Sequence, residues 1–166
     1  MSNAVVLYVQ VAMSFIACGL LAQRYVVPRL RAAAFTAAAI ALVFPHCFRH
    51  VGLLYLSTAA VPPGVPAAFA APTAYGDLAT ALLAVATVIA LQKNEKLGRG
   101  LAWVFNVVGL GDLMLAVVNS MRYHLVDHAL GVAYLLPTLI VPVMVLSHLL
   151  LFWILMRPST PASAHA

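Results

Sequence analysis

Charge is scarce in this chain. Its 166 residues include nine Lys and Arg and four Asp and Glu, 8% in all, against about 25% in ordinary soluble chains. Too little polar surface remains to face water, while the set AVILMFWYC makes up 64% and mean hydropathy is +1.03. A soluble globular domain, a disordered tail and a nucleic-acid module are thereby excluded, and the expected solvent is largely lipid. Cysteine is scarce too. Cys18 and Cys47 both lie in apolar stretches with no CxxC spacing, so they read as small hydrophobes. There is no GxGxxG, no GxxxxGK[ST], no GxSxG and no HExxH, hence no phosphate cradle, nucleophile elbow or zincin helix. A triad drawn from Ser14, His46 and Asp112 would take one residue from each of three spans and is unconstrained.

What is present is a series of apolar runs. Five candidate spans fall at about 4–22, 33–57, 74–92, 100–120 and 132–156, each near the ~20 residues a bilayer core demands. The expected fold class is therefore all-α: a single polytopic five-helix transmembrane bundle over 1–157, with a flexible cytoplasmic tail at 158–166. The breaks are Gln23 through Arg31, Val61 through Pro66, Lys93 through Gly100, Arg122 through His128, and the tail from Arg157. Pro45 inside the second span reads as a kink in one helix, tolerated where neighbours satisfy the freed carbonyl. Basic residues collect in cytoplasmic loops. Arg24, Arg29 and Arg31 share one side with Lys93, Lys96, Arg99 and Arg157 if there are five spans. The chain is then a multi-pass protein of the cell membrane (the inner membrane in a bacterium), N-terminus out and C-terminus in. No basic residue precedes the first span, which is expected to stay in the mature protein rather than be cleaved as a signal.

Polar residues at hydrocarbon depth are expensive, and chemistry is sought there. With ~1.5 Å per residue, Arg49 and His50 lie roughly 10–12 Å below the outer boundary, His46 roughly 16 Å, Asp112 roughly 12 Å, Gln10 and Ser14 roughly 9 and 15 Å, and Asp77 only about 4–5 Å. Arg49 and Asp112 match in depth and neutralise one another, as a structural ion pair or as part of a site. Ala102, Asn106, Gly109, Asp112, Ala116 and Asn119 form one small or polar face of the fourth span, which reads as a packing seam with Asn106 a candidate ligand contact. His46 and His50 are four apart and are expected on one helix face, suited to metal ligation or a proton relay. His124 and His128 repeat that spacing around Asp127. With Asp77 or His50 below, they offer a Zn²⁺ or Cu²⁺ site. His148 lies roughly 24 Å down by the same rise, within reach of His46 but not His50. Gly-Asp-Leu occurs at Gly76 and again at Gly111, and the unequal depths of Asp77 and Asp112 read as coincidence.

These residues suggest a non-enzymatic integral membrane protein with a buried polar site of His46, Arg49, His50, Asp77, Asn106, Asp112, Gln10 and Ser14. That site would bind a small molecule or handle protons, in a small transporter or an accessory subunit. One alternative is a redox subunit binding quinone, or ligating haem b or a transition metal through His46, His50, His124, His128 or His148. Another is a purely structural subunit. The expected partners are the lipid bilayer and other membrane subunits or further copies of the chain, not nucleic acid.

Overall fold

A computed structural model describes residues 2–157. Among the described residues the regular structure is entirely helical, and five helices are long and apolar enough to cross a membrane: α1 (Asn3–Ala32), α2 (Phe35–Leu56), α3 (Ala67–Lys93), α4 (Glu95–Arg122) and α5 (Gly131–Leu155). The tail expected at 158–166 lies outside the described residues.

Four elements differ from the sequence reading. The stretch Gln23 to Arg31 is not a loop. α1 runs on through it, with a π turn at Ala22–Val26 just before Pro28, the kind of local adjustment that accommodates a proline inside a membrane helix. α3 starts at Ala67 rather than 74 and carries Pro72 inside it. α4 starts at Glu95, directly after Asn94, whose side chain caps Leu97 N at 3.0 Å. Glu95 in the first turn of α4 and Lys93 in the last turn of α3 each complement the local helix dipole.

α2 departs most from expectation. It is α-helical over Phe35–Val43 and a tighter 3₁₀ helix over Phe44–Leu56, not one α-helix kinked at Pro45. The buried residues of the 3₁₀ half are His46, Arg49, Gly52 and Tyr55, spaced by three. At three residues per turn these side chains line up along one edge. In an α-helix each step of three falls about 60° short of a full turn, so His46 and Tyr55 would face opposite sides. The winding thus turns every third residue of this half into the bundle, where α3 is the neighbour on which it packs most closely.

The bundle has two apolar cores. One includes Leu42, Val43, Ala84, Phe105, Leu151 and Leu155, the other Tyr55, Phe69, Ala74, Leu125, Leu130 and Leu136. The first lies toward the end where most of the basic residues gather. There Arg99 Nη2 donates to Leu155 O at 2.8 Å, Arg157 Nη1 donates to Leu30 O at 3.3 Å, and Thr36 Oγ1 donates to Glu95 Oε2 at 2.5 Å. The Arg157 guanidinium also lies 3.6 Å from the Trp153 ring centroid. α1 is peripheral: it packs on α5 and on the short turn Leu125–Asp127, and nothing in Asn3–Val26 is buried.

Candidate functional site

Between the two cores lies a polar layer, placed by three helices. Asp77 is ten residues from the start of α3 and Asp112 ten from the end of α4, each roughly 15 Å along the helix. Arg49 is seven residues from the end of α2, roughly 14 Å at the 3₁₀ rise. The two carboxylates therefore share a depth, and the Gly-Asp-Leu pair brings both to one arginine. The shallow depth expected for Asp77 is corrected by the earlier start of α3.

Arg49 is 4% exposed, and all three of its guanidinium nitrogens are engaged. Nε donates to Asp77 Oδ1 at 2.7 Å, Nη1 to Gly109 O at 2.9 Å and Nη2 to Asp112 Oδ2 at 2.5 Å; Nη2 also lies 2.6 Å from Asp77 Oδ1. Charge-assisted contacts of this kind are the strong ones. Their close packing requires glycine. A Cβ at Gly52 would overlap the Asp77 carboxylate, and one at Gly76 would overlap Asp112 Oδ1. One cation facing two carboxylates leaves the cluster with a formal charge of −1.

A second cluster adjoins the first toward the basic end. Ser147 Oγ has one proton, which it donates to Leu42 O at 3.1 Å, so it accepts from His46 Nε2 at 2.5 Å. Asn106 Nδ2 donates to His148 O at 3.1 Å, and its Oδ1 accepts from His148 Nδ1 at 2.7 Å. These bonds fix both tautomers. They leave His46 Nδ1 and His148 Nε2 as bare acceptors, each buried without a partner. The two rings touch, with centroids 4.2 Å apart, and Phe105 packs on both. With their rings in contact, His46 and His148 leave no gap between them that would hold a haem. Asn106 serves as the clamp on His148 and is not in the lining of the cavity described below.

The remaining expected residues lie elsewhere. His50 does not share a face with His46, because the 3₁₀ winding turns it outward; it is exposed and its Nδ1 meets Cys47 O at 3.0 Å. Gln10 accepts from Tyr134 OH at 2.7 Å on the exposed side of α1, and Ser14 lies on the same unburied helix. His124 has a left-handed backbone (φ 48°) and His128 is extended, so the helical face expected to pair them does not form. Among the described residues no three His, Cys, Asp or Glu side chains group as a metal site.

The sequence reading missed a cavity of about 490 Å³ between α1 and the other helices, in the half away from the basic end. Leu7, Val11 and Phe15 of α1 form one wall. Leu113 and Val117 of α4 and Met144 of α5 form others. Arg49, Thr73 and Asp77 are its deepest polar groups, while Ser120 and His124 lie nearer the end of α4. It falls within the ~300–1,000 Å³ usual for small-molecule pockets.

A family model described as Domain of unknown function (DUF8737) matches residues 6–156. The chain belongs to that family. Comparison with curated proteins and with solved structures returns no match. The matched stretch contains the whole polar layer and every residue that lines the cavity.

Proposed function

We propose that the chain is a five-span integral membrane protein, N-terminus out and C-terminus in, that binds a small apolar-bodied molecule in this cavity. The helices span 22 to 30 residues, enough for a ~30 Å hydrocarbon core with tilt. Arg29, Arg31, Lys93, Lys96, Arg99 and Arg157 at one end support the orientation. The observation that carries the binding reading is an apolar cavity ending on a buried charged cluster, the pattern of a ligand site with a few orienting polar groups. Access is one-sided. Beyond His46 and His148 the interior is the apolar core of Leu42, Phe105 and Leu151, which supports a binding or sensing subunit over a conduit.

Proton handling is a second reading, favoured by the bare acceptors of His46 and His148. Its weakness is the same apolar core, which offers those nitrogens no onward partner toward the basic end.

The test uses the protein in lipid nanodiscs with decylammonium, decanol and decanoate as probes, read by saturation-transfer NMR and thermal unfolding. At least one probe is expected to bind saturably to wild type. None is expected to bind the cavity-filling variant Ala116→Phe, provided its circular dichroism is unchanged. Equal binding of every probe to both proteins, or to neither, overturns the reading.

A further inference from the structure

We infer that the basic end of the bundle holds the phosphate of an anionic phospholipid, between Arg31 in the last turn of α1 and Arg157 just after α5, beside Trp153. The inference rests on the membrane reading above and makes no use of the cavity.

The first observation is a convergence of like charges. The guanidinium carbons of Arg157 and Arg31 lie 3.6 and 5.9 Å from the centroid of one ring, that of Trp153. The two charges are therefore closer together than the Debye length of about 10 Å at 0.1 M salt. Arg99 of α4 joins them. Its Nη2 donates to Arg157 O at 3.0 Å, and its guanidinium lies 4.6 Å from the Phe35 ring centroid. Among the described residues no carboxylate balances the three, for both ion pairs formed there belong to Arg49. Glu95 stands one turn before Arg99 on α4, the spacing of a helical ion pair, but accepts from Thr36 Oγ1 instead. Three cations drawn from three elements thus lack an anion.

Part of the convergence serves the fold. Arg99 covers carbonyls at the end of α5 and Arg157 one at the end of α1, where cations suit the helix dipole. Each does so through a single nitrogen, which leaves the rest of the fork for an outside acceptor. Arg31 is exposed. Guanidinium forks match phosphate oxygens in geometry as well as in charge.

The second observation is depth, which selects a lipid over a free anion. α1 covers 30 residues, roughly 45 Å, against a hydrocarbon core of ~30 Å. Its apolar run ends at Ala22, so the excess length, which includes Arg31, lies among the head groups. Trp is the side chain that settles at that level. Toward the bilayer centre, Leu20 and Leu21 of α1 and Leu149 of α5 are exposed, an apolar surface for acyl chains. A basic site between helices on the cytoplasmic side is the general form of an anionic head-group site.

The test titrates the protein in mixed micelles with phosphatidylglycerol, phosphatidylcholine and inorganic phosphate, and reads bound lipid by native mass spectrometry. Wild type is expected to retain phosphatidylglycerol about fivefold or more tightly than phosphatidylcholine, the contribution of one basic residue near an anionic surface. Arg31→Gln should remove most of that preference. Lys93→Gln takes the same charge from the end of α3, which packs on α2 and α4 instead, and should stay within about twofold of wild type. Equal retention of the two lipids by wild type, or equal losses in the two variants, overturns the inference, because surface charge alone then accounts for binding. Displacement of the lipid by millimolar inorganic phosphate overturns the lipid as the source of the phosphate. If Arg31→Gln does not fold, fluorescence decides. Trp103→Phe leaves Trp153 as the one tryptophan, and phosphatidylglycerol brominated on its acyl chains should quench it at least twofold more than brominated phosphatidylcholine. Equal quenching overturns the inference. A chain that stays soluble without detergent would overturn the membrane reading and this site with it.

Discussion

At the scale of single residues, the arginine and the two aspartates are not interchangeable. Removing Arg49 strands two carboxylates, whereas removing either aspartate leaves a balanced pair. Arg49→Met should therefore cost about 3–5 kcal/mol, as breaking a buried pair does. Asp112→Asn, which keeps an acceptor for Nη2, should cost about 1 kcal/mol or less. Arg49→Met combined with Asp112→Asn should not recover, because Asp77 stays unpaired; adding Asp77→Asn should bring stability within about 2 kcal/mol of wild type. Reversible unfolding in mixed micelles measures all four. Arg49→Met no worse than Asp112→Asn would refute the shared cluster. Arg49 and Asp112 were legible as partners because each is expensive in lipid and their depths agreed. Asp77 was misplaced because the third span was started at 74, seven residues later than α3 begins. Thr73 and Ser147 gave little signal, since a lone hydroxyl in an apolar run is cheap to satisfy on its own helix.

At the scale of elements, the second half of α2 decides which histidine takes part. His46, Arg49, Gly52 and Tyr55 recur at every third position in the sequence, so the pattern was there to be read. The prior for a membrane helix is 3.6 residues per turn, and at that period His46 and His50 share a face. Runs of 3₁₀ helix longer than a few residues are uncommon, and nothing local announces one except Pro45 near its start. Nitroxide scanning from Phe44 to Leu56 checks the winding. Oxygen accessibility should reach minima at His46, Arg49, Gly52 and Tyr55, with His50 and Val51 accessible. Minima at 46, 50 and 53 would restore an α-helix and with it the paired histidines.

At the scale of the whole molecule, the two ends differ in charge, and that asymmetry was visible in the sequence before any helix boundary was right. A reporter fused after Arg157 should register cytoplasm, and one inserted at Gly64, between α2 and α3, should register the outer side. The reverse result would invert the topology and turn the cavity toward the cytoplasm. Span number and the basic end were legible because they depend on averages over about twenty residues. The cavity was not, because it arises from how α1 leans on its neighbours rather than from any run of residues. That lean bears on how the molecule is built. Over Asn3–Leu21 the main partners of α1 are α5, Leu136–Ile140 within it and the turn Leu125–Asp127, and all are translated more than a hundred residues after α1 begins. Helices enter the bilayer before they associate, so α1 must wait in lipid, alone, until the ribosome has nearly finished. Its apolar, unburied surface over Asn3–Val26 suits that wait. Made before the other four, this helix is then among the last to dock, and its arrival is what closes the cavity wall.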